Sequence, residues 1–289
     1  MSLRLKFNMV LLVALGIGYA IIGWILWGFL ENTARDEVLA KARVMRQSAL
    51  AMRSYTADEI RPLLQTISAE RFLPHTVPSY AAQENFRRVS EAFDDYAYKE
   101  AALNPTNPAD QANDWEEDII RAFRSGRISD EHVAVRDTPL GQSLVLAHPI
   151  QIKNEACLQC HSTPEVAPAS MVQLYGEANG FGWELDEIIG AQIVSVPMAV
   201  PLERARETFI IVMISLAAAF LVMLLIVNTL LGMVVIRPIV KLSDLASEIS
   251  LGNLDAPEMK ASGGGEIASL TDSFNRMRRS LENALRMIE

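Results

Sequence analysis

Residues 9–30 read MVLLVALGIGYAIIGWILWGFL, twenty-two positions without a charge. As a helix this stretch is about 33 Å long, enough to cross the ~30 Å hydrocarbon core of a bilayer. Arg4 and Lys6 precede it, and Trp24, Trp27 and Phe29 close it. It is longer than the apolar core of a cleavable leader and lacks a small-x-small cleavage site, so it reads as an uncleaved anchor. A second stretch, 209–236, reads FIIVMISLAAAFLVMLLIVNTLLGMVVI, again without a charge, and Arg237 and Lys241 follow it. Basic residues just before the first span and just after the second place both termini on the cytoplasmic side. The expected order is a cytoplasmic N-terminus at 1–8, spans at 9–30 and 209–236, an extracytoplasmic domain at 31–208, and a cytoplasmic segment at 237–289. A two-pass protein of the bacterial inner membrane, its loop in the periplasm and lipid as its first partner, is the expectation.

Composition limits the rest. Half of the 289 residues are apolar and 21% are charged, which fits neither a disordered tail nor a polytopic transporter. The net charge of -9 offers no basic face to a nucleic acid. Two cysteines cannot build a disulfide scaffold.

Within the loop, residues 34–66 lack glycine and carry Val38, Ala42, Met45, Ala49, Met52 and Ile60 at near-helical spacing. This helix continues the first span, with Pro62 the position that would kink or restart it. Helices are also expected at 81–100 and at 113–124, the latter with Asp114 as its cap. Between them Asn104-Pro105-Thr106-Asn107-Pro108 reads as a rigid turn. Strands are expected at 132–136, 143–152 and 191–197, where β-branched or alternating residues collect. Helices followed by a few strands make an α+β domain.

One motif carries chemistry: Cys157-Leu158-Gln159-Cys160-His161. Two thiols three residues apart can add across the two vinyl groups of one porphyrin, and the histidine directly after them lies under the iron as its proximal ligand. The motif uses both cysteines of the chain, lies in the segment expected outside, and has no further Cys/His pair to complete a zinc site. A single covalent haem c is therefore expected on Cys157, Cys160 and His161. A Cys157–Cys160 disulfide, a thioredoxin-like pair and two free thiols are the alternatives. The sixth iron ligand stays open: Met52 is the first candidate, His75 the next, then Met45 and His148, or an open or water-occupied site. A fixed ligand favours redox work and an open site favours gas binding. Arg53 and Arg46 are candidates to pair the haem propionates, or else lie on a solvated helix face.

After the second span, Arg237-Pro238 suits a helix start. Leu242, Leu245, Ile249 and Gly252 are spaced by three and four, and so are Ile267, Leu270, Phe274, Met277, Leu281, Ala284 and Ile288. These are heptad seams that neither helix can bury alone; two chains would bury them in a parallel four-helix bundle. The 263–265 triglycine reads as a flexible linker, not a phosphate loop.

The tail resembles a HAMP domain over residues 236–287, through Pro238, Gly252-x-Leu254, Glu266, Phe274 and Met277. That resemblance implies a homodimeric relay between a sensor and an output. The outer segment is similar to bacterial PAS-like single-haem c-type sensor domains. The carrying residues are Arg53-Ser54-Tyr55-Thr56, Phe72-Leu73-Pro74-His75-Thr76-Val77-Pro78, Ala102-Leu103-Asn104-Pro105-Thr106-Asn107-Pro108, the CxxCH with Ser162-Thr163-Pro164, Tyr175-Gly176 with Gly180-Phe181-Gly182-Trp183, and Gly190-Ala191-Gln192-Ile193-Val194-Ser195-Val196-Pro197. It implies an antiparallel sheet with long helices holding haem through Cys157, Cys160 and His161. His75 and His148 depart from the family's pattern.

The expected function is a transmembrane haem-based sensor of redox state or of a diatomic gas, relaying through the HAMP segment to a cytoplasmic output protein in trans. A membrane-tethered electron carrier and an accessory subunit of a membrane complex are the alternatives. An enzyme is not expected, because no nucleophile pair survives once the cysteines hold haem.

Overall fold

The computed structural model describes residues 3–139, 141–253, 258–259 and 265–287. Leu254, the 261–264 stretch and Ile288, named above, lie outside the described residues. The chain divides into two units: Trp27–Thr208, and Met1–Leu26 together with Phe209–Glu289.

Helix α1 (Leu3–Tyr55) is uninterrupted. A single π-turn, Thr56–Ile60, follows, and α2 (Arg61–Glu70) begins directly after it. Pro62 is the cause: it has no N–H for the Asp58 carbonyl and its ring crowds that oxygen, so the ladder widens by one residue. The Arg61 N–H accordingly reaches back to the Thr56 carbonyl.

Two expectations in the loop need correction. Residues 81–100 are not one helix: α3 (Pro78–Ser90) stops, and Ala97–Ala102 is strand β1. The cap of α4 (Asp114–Arg124) is Asn113, not Asp114; its side chain accepts the Glu116 N–H while Glu116 accepts the Asn113 N–H. The expected strands are longer than their sequence signals: β2 (His132–Thr138), β3 (Gly141–Gln151) and β4 (Ile188–Pro197).

The four strands form an antiparallel sheet in the order β1-β4-β3-β2. Both faces of its two central strands are buried, which explains their near-continuous apolar runs. Leu144, Leu146, Val194 and Val196 face α1 and α3 through Val38, Ala42, Ala49 and Phe86. Val145, Ala147 and Ile193 face α4 through Ile119, Ile120 and Phe123. A smaller cluster of Ala102, Ile152 and Ile189 packs against Cys157, Leu158 and Trp183. It anchors the short helix α5 (Leu158–His161) at the end of the sheet. Helix α6 (Ala169–Tyr175) follows and brings Tyr175 edge-on to Phe72.

In the other unit, α1 and α7 (Ala199–Leu231) are long and apolar enough to cross a membrane. Most of the apolar side chains of the spanning stretches are exposed, Trp24 at 80%, as a lipid environment favours. Between the two helices Tyr19 donates to the Met213 carbonyl at 3.3 Å and meets Phe220 edge-on, while Gly23 admits the Met213 side chain. A second π-turn, Gly232–Ile236, closes α7 and leads into α8 (Arg237–Ser250). The tripeptide Ile236-Arg237-Pro238 repeats Ile60-Arg61-Pro62, and the Arg237 N–H likewise reaches the Gly232 carbonyl. Leu242 and Ile249 of α8 are buried, but on α9 (Glu266–Arg286) the expected seam residues Leu270, Met277 and Leu281 are exposed in the single chain. Thr271 and Asn275 are buried instead, and Asn275 donates to the Met259 carbonyl at 2.8 Å.

Candidate functional site

The site is assembled on one helical turn. Asn154 accepts the Ala156 N–H at 2.8 Å and caps the 3₁₀ turn Glu155–Cys157, which runs straight into α5. Cys157 and Cys160 therefore lie one turn apart, as half-buried free thiols. Burial pushes the Cys160 thiol up, against the pull of the Arg61 guanidinium.

His161 closes the turn. Its Nδ1 lies 2.8 Å from the Gly180 carbonyl, which can only accept, so Nδ1 carries the proton. Nε2 is then left with a free lone pair. Burial lowers the pKa of the ring, with the Gly180 carbonyl opposing, and the neutral imidazole is favoured. The indole of Trp183 stacks on the ring, and the Thr106 hydroxyl lies 3.4 Å from Nδ1.

The segment that holds His161 is itself clamped. Asn104 accepts the Gly180 N–H and donates to the Phe181 carbonyl, both at 3.1 Å. Gly182 donates to the Ser162 carbonyl at 2.9 Å and Trp183 to the His161 carbonyl at 3.2 Å. Gly180 has φ +84, and a Cβ there would overlap Thr106, 2.7 Å from its Cα. Only glycine fits.

A second cluster borders the thiols. Arg53 pairs with Glu100, whose side chain is 4% exposed and also accepts the Tyr98 hydroxyl at 2.7 Å. Burial pulls the Arg53 guanidinium down, but Glu100 more than offsets this and Arg53 stays raised; Cys157 is close enough to contribute. Burial, then Glu100, pushes the Tyr98 hydroxyl far up. Arg61 donates to the Thr76 carbonyl at 3.2 Å.

The structure thus brings Cys157, Cys160 and His161 onto one turn, with Arg53 within electrostatic reach of the first thiol and Arg61 of the second. Met52 is half-buried one turn before the π-turn, and its carbonyl accepts the Thr56 hydroxyl. The other candidates are engaged elsewhere. Met45 packs into the core cluster under α1, and exposed His75 lies edge-on to Tyr80. His148 sits 3.2 Å from Glu131, and burial, then Arg46, lowers its pKa. Arg46 lies near it with a buried Nε lacking a hydrogen-bond partner. Among the described residues no group of three or more His, Cys, Asp or Glu gathers as a metal site. Sequence reasoning gave no role to Arg61, Glu100, Asn104, Gly180 or Trp183. The last three stand in the stretches quoted for the resemblance, and the signal is an Asn-Pro turn and a Gly-x-Gly-Trp with no local reason to be there.

The profile of the Tll0287-like family matches residues 31–197, and that of the HAMP domain, a signal-transduction module, matches residues 230–283. Among solved structures, the cyanobacterial haem protein Tll0287 is similar at 16% identity and a TM-score of 0.44, over 56% of this chain and 95% of that one. No curated protein matches the chain.

Proposed function

The chain belongs to the Tll0287-like family, and on that premise we propose that it is a membrane-anchored haem c sensor that relays through its HAMP domain. The observation that carries this reading is the geometry of His161: its Nδ1 faces the Gly180 carbonyl, so that Nε2 is a ready axial donor on the same turn as two free thiols. The donor set suits a c-type porphyrin, with Cys157 and Cys160 as thioether anchors and His161 as proximal ligand. The solved relative is described as a haem protein, which agrees. Haem in such a site supplies a one-electron couple and an iron that can take a diatomic gas.

The chain's own residues do the rest. Asn104 and Gly180 orient His161. Trp183 and the Ile152–Ile189 cluster keep water from the ring. Arg53, paired with Glu100, and Arg61 contribute positive charge on the thiol side of the site. Met52, on the turn before the first π-turn, remains the first distal candidate. The domain is PAS-like and periplasmic, both termini are cytoplasmic, and the chain works as a parallel homodimer through the HAMP helices, whose outward Leu270, Met277 and Leu281 suit a second copy. It acts on a cytoplasmic partner and has no catalytic role. Helix α1 carries Met52 and Arg53 in the same continuous helix as the first apolar stretch.

The test is the absorption spectrum of the full chain purified from cells that mature c-type haem, oxidised, reduced, and reduced with carbon monoxide. Haem that survives acid-acetone extraction, and is lost in Cys157→Ala/Cys160→Ala, is expected. No haem absorbance overturns the reading. A reduced spectrum unmoved by carbon monoxide assigns a fixed sixth ligand and redox sensing; a complete shift assigns gas sensing.

A further inference from the structure

We propose that Asn104 is a positioning residue for the proximal histidine and sets its donor strength toward iron; this rests on the haem reading above. The Asn104 carboxamide reaches the backbone on both sides of the Gly180 carbonyl: Oδ1 takes the Gly180 N–H and Nδ2 gives to the Phe181 carbonyl, each at 3.1 Å. Those two bonds hold the peptides on either side of the one between residues 180 and 181, and the oxygen of that middle peptide accepts the His161 Nδ1 proton at 2.8 Å. The two prolines flanking Thr106 and Asn107 limit how far the 104–108 turn can swing. Thr106 fills the space against Gly180 that a Cβ would need. Among the described residues, Asn104 is thus the one side chain that hydrogen-bonds the backbone on both sides of a carbonyl borne by a conformationally permissive glycine.

The chemical consequence follows from the ring. A well-aligned Nδ1–H···O=C bond raises electron density at Nε2 and so stabilises the more positive, oxidised iron. Loosening the carbonyl weakens that bond and favours the reduced form. The Asn-Pro turn, whose local sequence implies rigidity alone, thus holds the hydrogen-bond partner of the proximal ligand.

The experiment is a spectroelectrochemical titration of the full-length, haem-loaded chain as wild type, Asn104→Ala and Asn107→Ala. Asn107 is the control: it sits in the same turn, but its side chain accepts the Ala109 N–H and, among the described residues, makes no bond to the 180–181 backbone. Asn104→Ala is expected to shift the reduction potential upward at unchanged haem content, with Asn107→Ala at the wild-type value. Equal potentials for Asn104→Ala and wild type overturn the proposal, and so does an equal shift in both variants, which would assign the effect to the turn as a whole. If Asn104→Ala fails to fold, Asn104→Ser is read instead. It keeps a small acceptor near Gly180 but loses the arm to Phe181, and a potential equal to wild type overturns the proposal. Absence of haem from the wild type itself is a different failure and removes the haem reading.

Discussion

The imidazole of His161 lies flat against the indole of Trp183, ring centroids 3.8 Å apart and planes 11° from parallel. Trp183 also packs on Ile152 and Ile189, so one side chain ties the CxxCH turn to the end of the sheet. Trp183→Ala is expected to cost about 2–3 kcal/mol, and Trp183→Phe, which keeps a ring against His161, less than half of that. Tm by thermal unfolding checks this; equal melting of the two variants would remove the stacking argument.

Gly180 and Gly182 both have positive φ, but their surroundings differ. A Cβ at Gly182 meets nothing within 4 Å, whereas at Gly180 it overlaps the backbone of Thr106. Gly182→Ala should lose only the left-handed penalty, about 1 kcal/mol. Gly180→Ala adds a clash that backbone must absorb and should lose about 3 kcal/mol or more. Denaturant midpoints of the two variants measured side by side decide it.

Glu100 is buried with Arg53 as its cation and Tyr98 as a further donor. Arg53→Met strands that carboxylate and is expected to destabilise the fold by about 3 kcal/mol. Arg53→Met/Glu100→Leu, which removes both charges, should recover most of the loss. A double variant no more stable than the single one would show that the pair is not the issue.

On α3, the Arg87 guanidinium first and then Arg88 hold the Glu84 carboxyl down at about 2, from an ordinary value of 4.5. The folded state binds this proton more weakly than the unfolded one. The contribution of Glu84 is therefore complete above 4.5 and is lost as pH falls toward about 2. Glu84→Gln should be less stable than wild type near neutrality, and the gap should close with acid. The site is exposed, so the effect is small and shrinks with salt. A gap that is constant with pH would show that the ion pairs are not its source.

Strand β1 shows why part of the domain is illegible in the sequence. Ala97-Tyr98-Lys99-Glu100-Ala101-Ala102 is rich in helix formers, and its composition predicts the end of a helix. It is a strand because pairing with β4 buries Tyr98 and Ala101 on opposite faces, and because Lys99 finds Glu116 while Glu100 finds Arg53. Propensity yields to burial there. The cap of α4 falls one residue from its expected place because Asn113 and Asp114 are both good caps, and only the reciprocal bonds of Asn113 with Glu116 separate them. Pro62, by contrast, is legible as the restart point, since its missing N–H acts within its own turn.

By itself, then, the sequence determined what lies within a few residues along the chain. The two uncharged apolar stretches give the two long helices. The three-residue spacing of Cys157 and Cys160, with His161 beside them, puts all three on one turn. Pro62 marks where the first long helix restarts, and Pro238 marks a helix start. Only the tertiary structure decided the order of the sheet, which face of it carries Glu100, and which nitrogen of His161 holds the proton. That proton is fixed by a carbonyl 19 residues away, and the carbonyl by an asparagine 76 residues from it. Local patterns are written by covalent neighbours. A donor's tautomer is set by whichever acceptor folding brings against it, and no spacing in the chain records that.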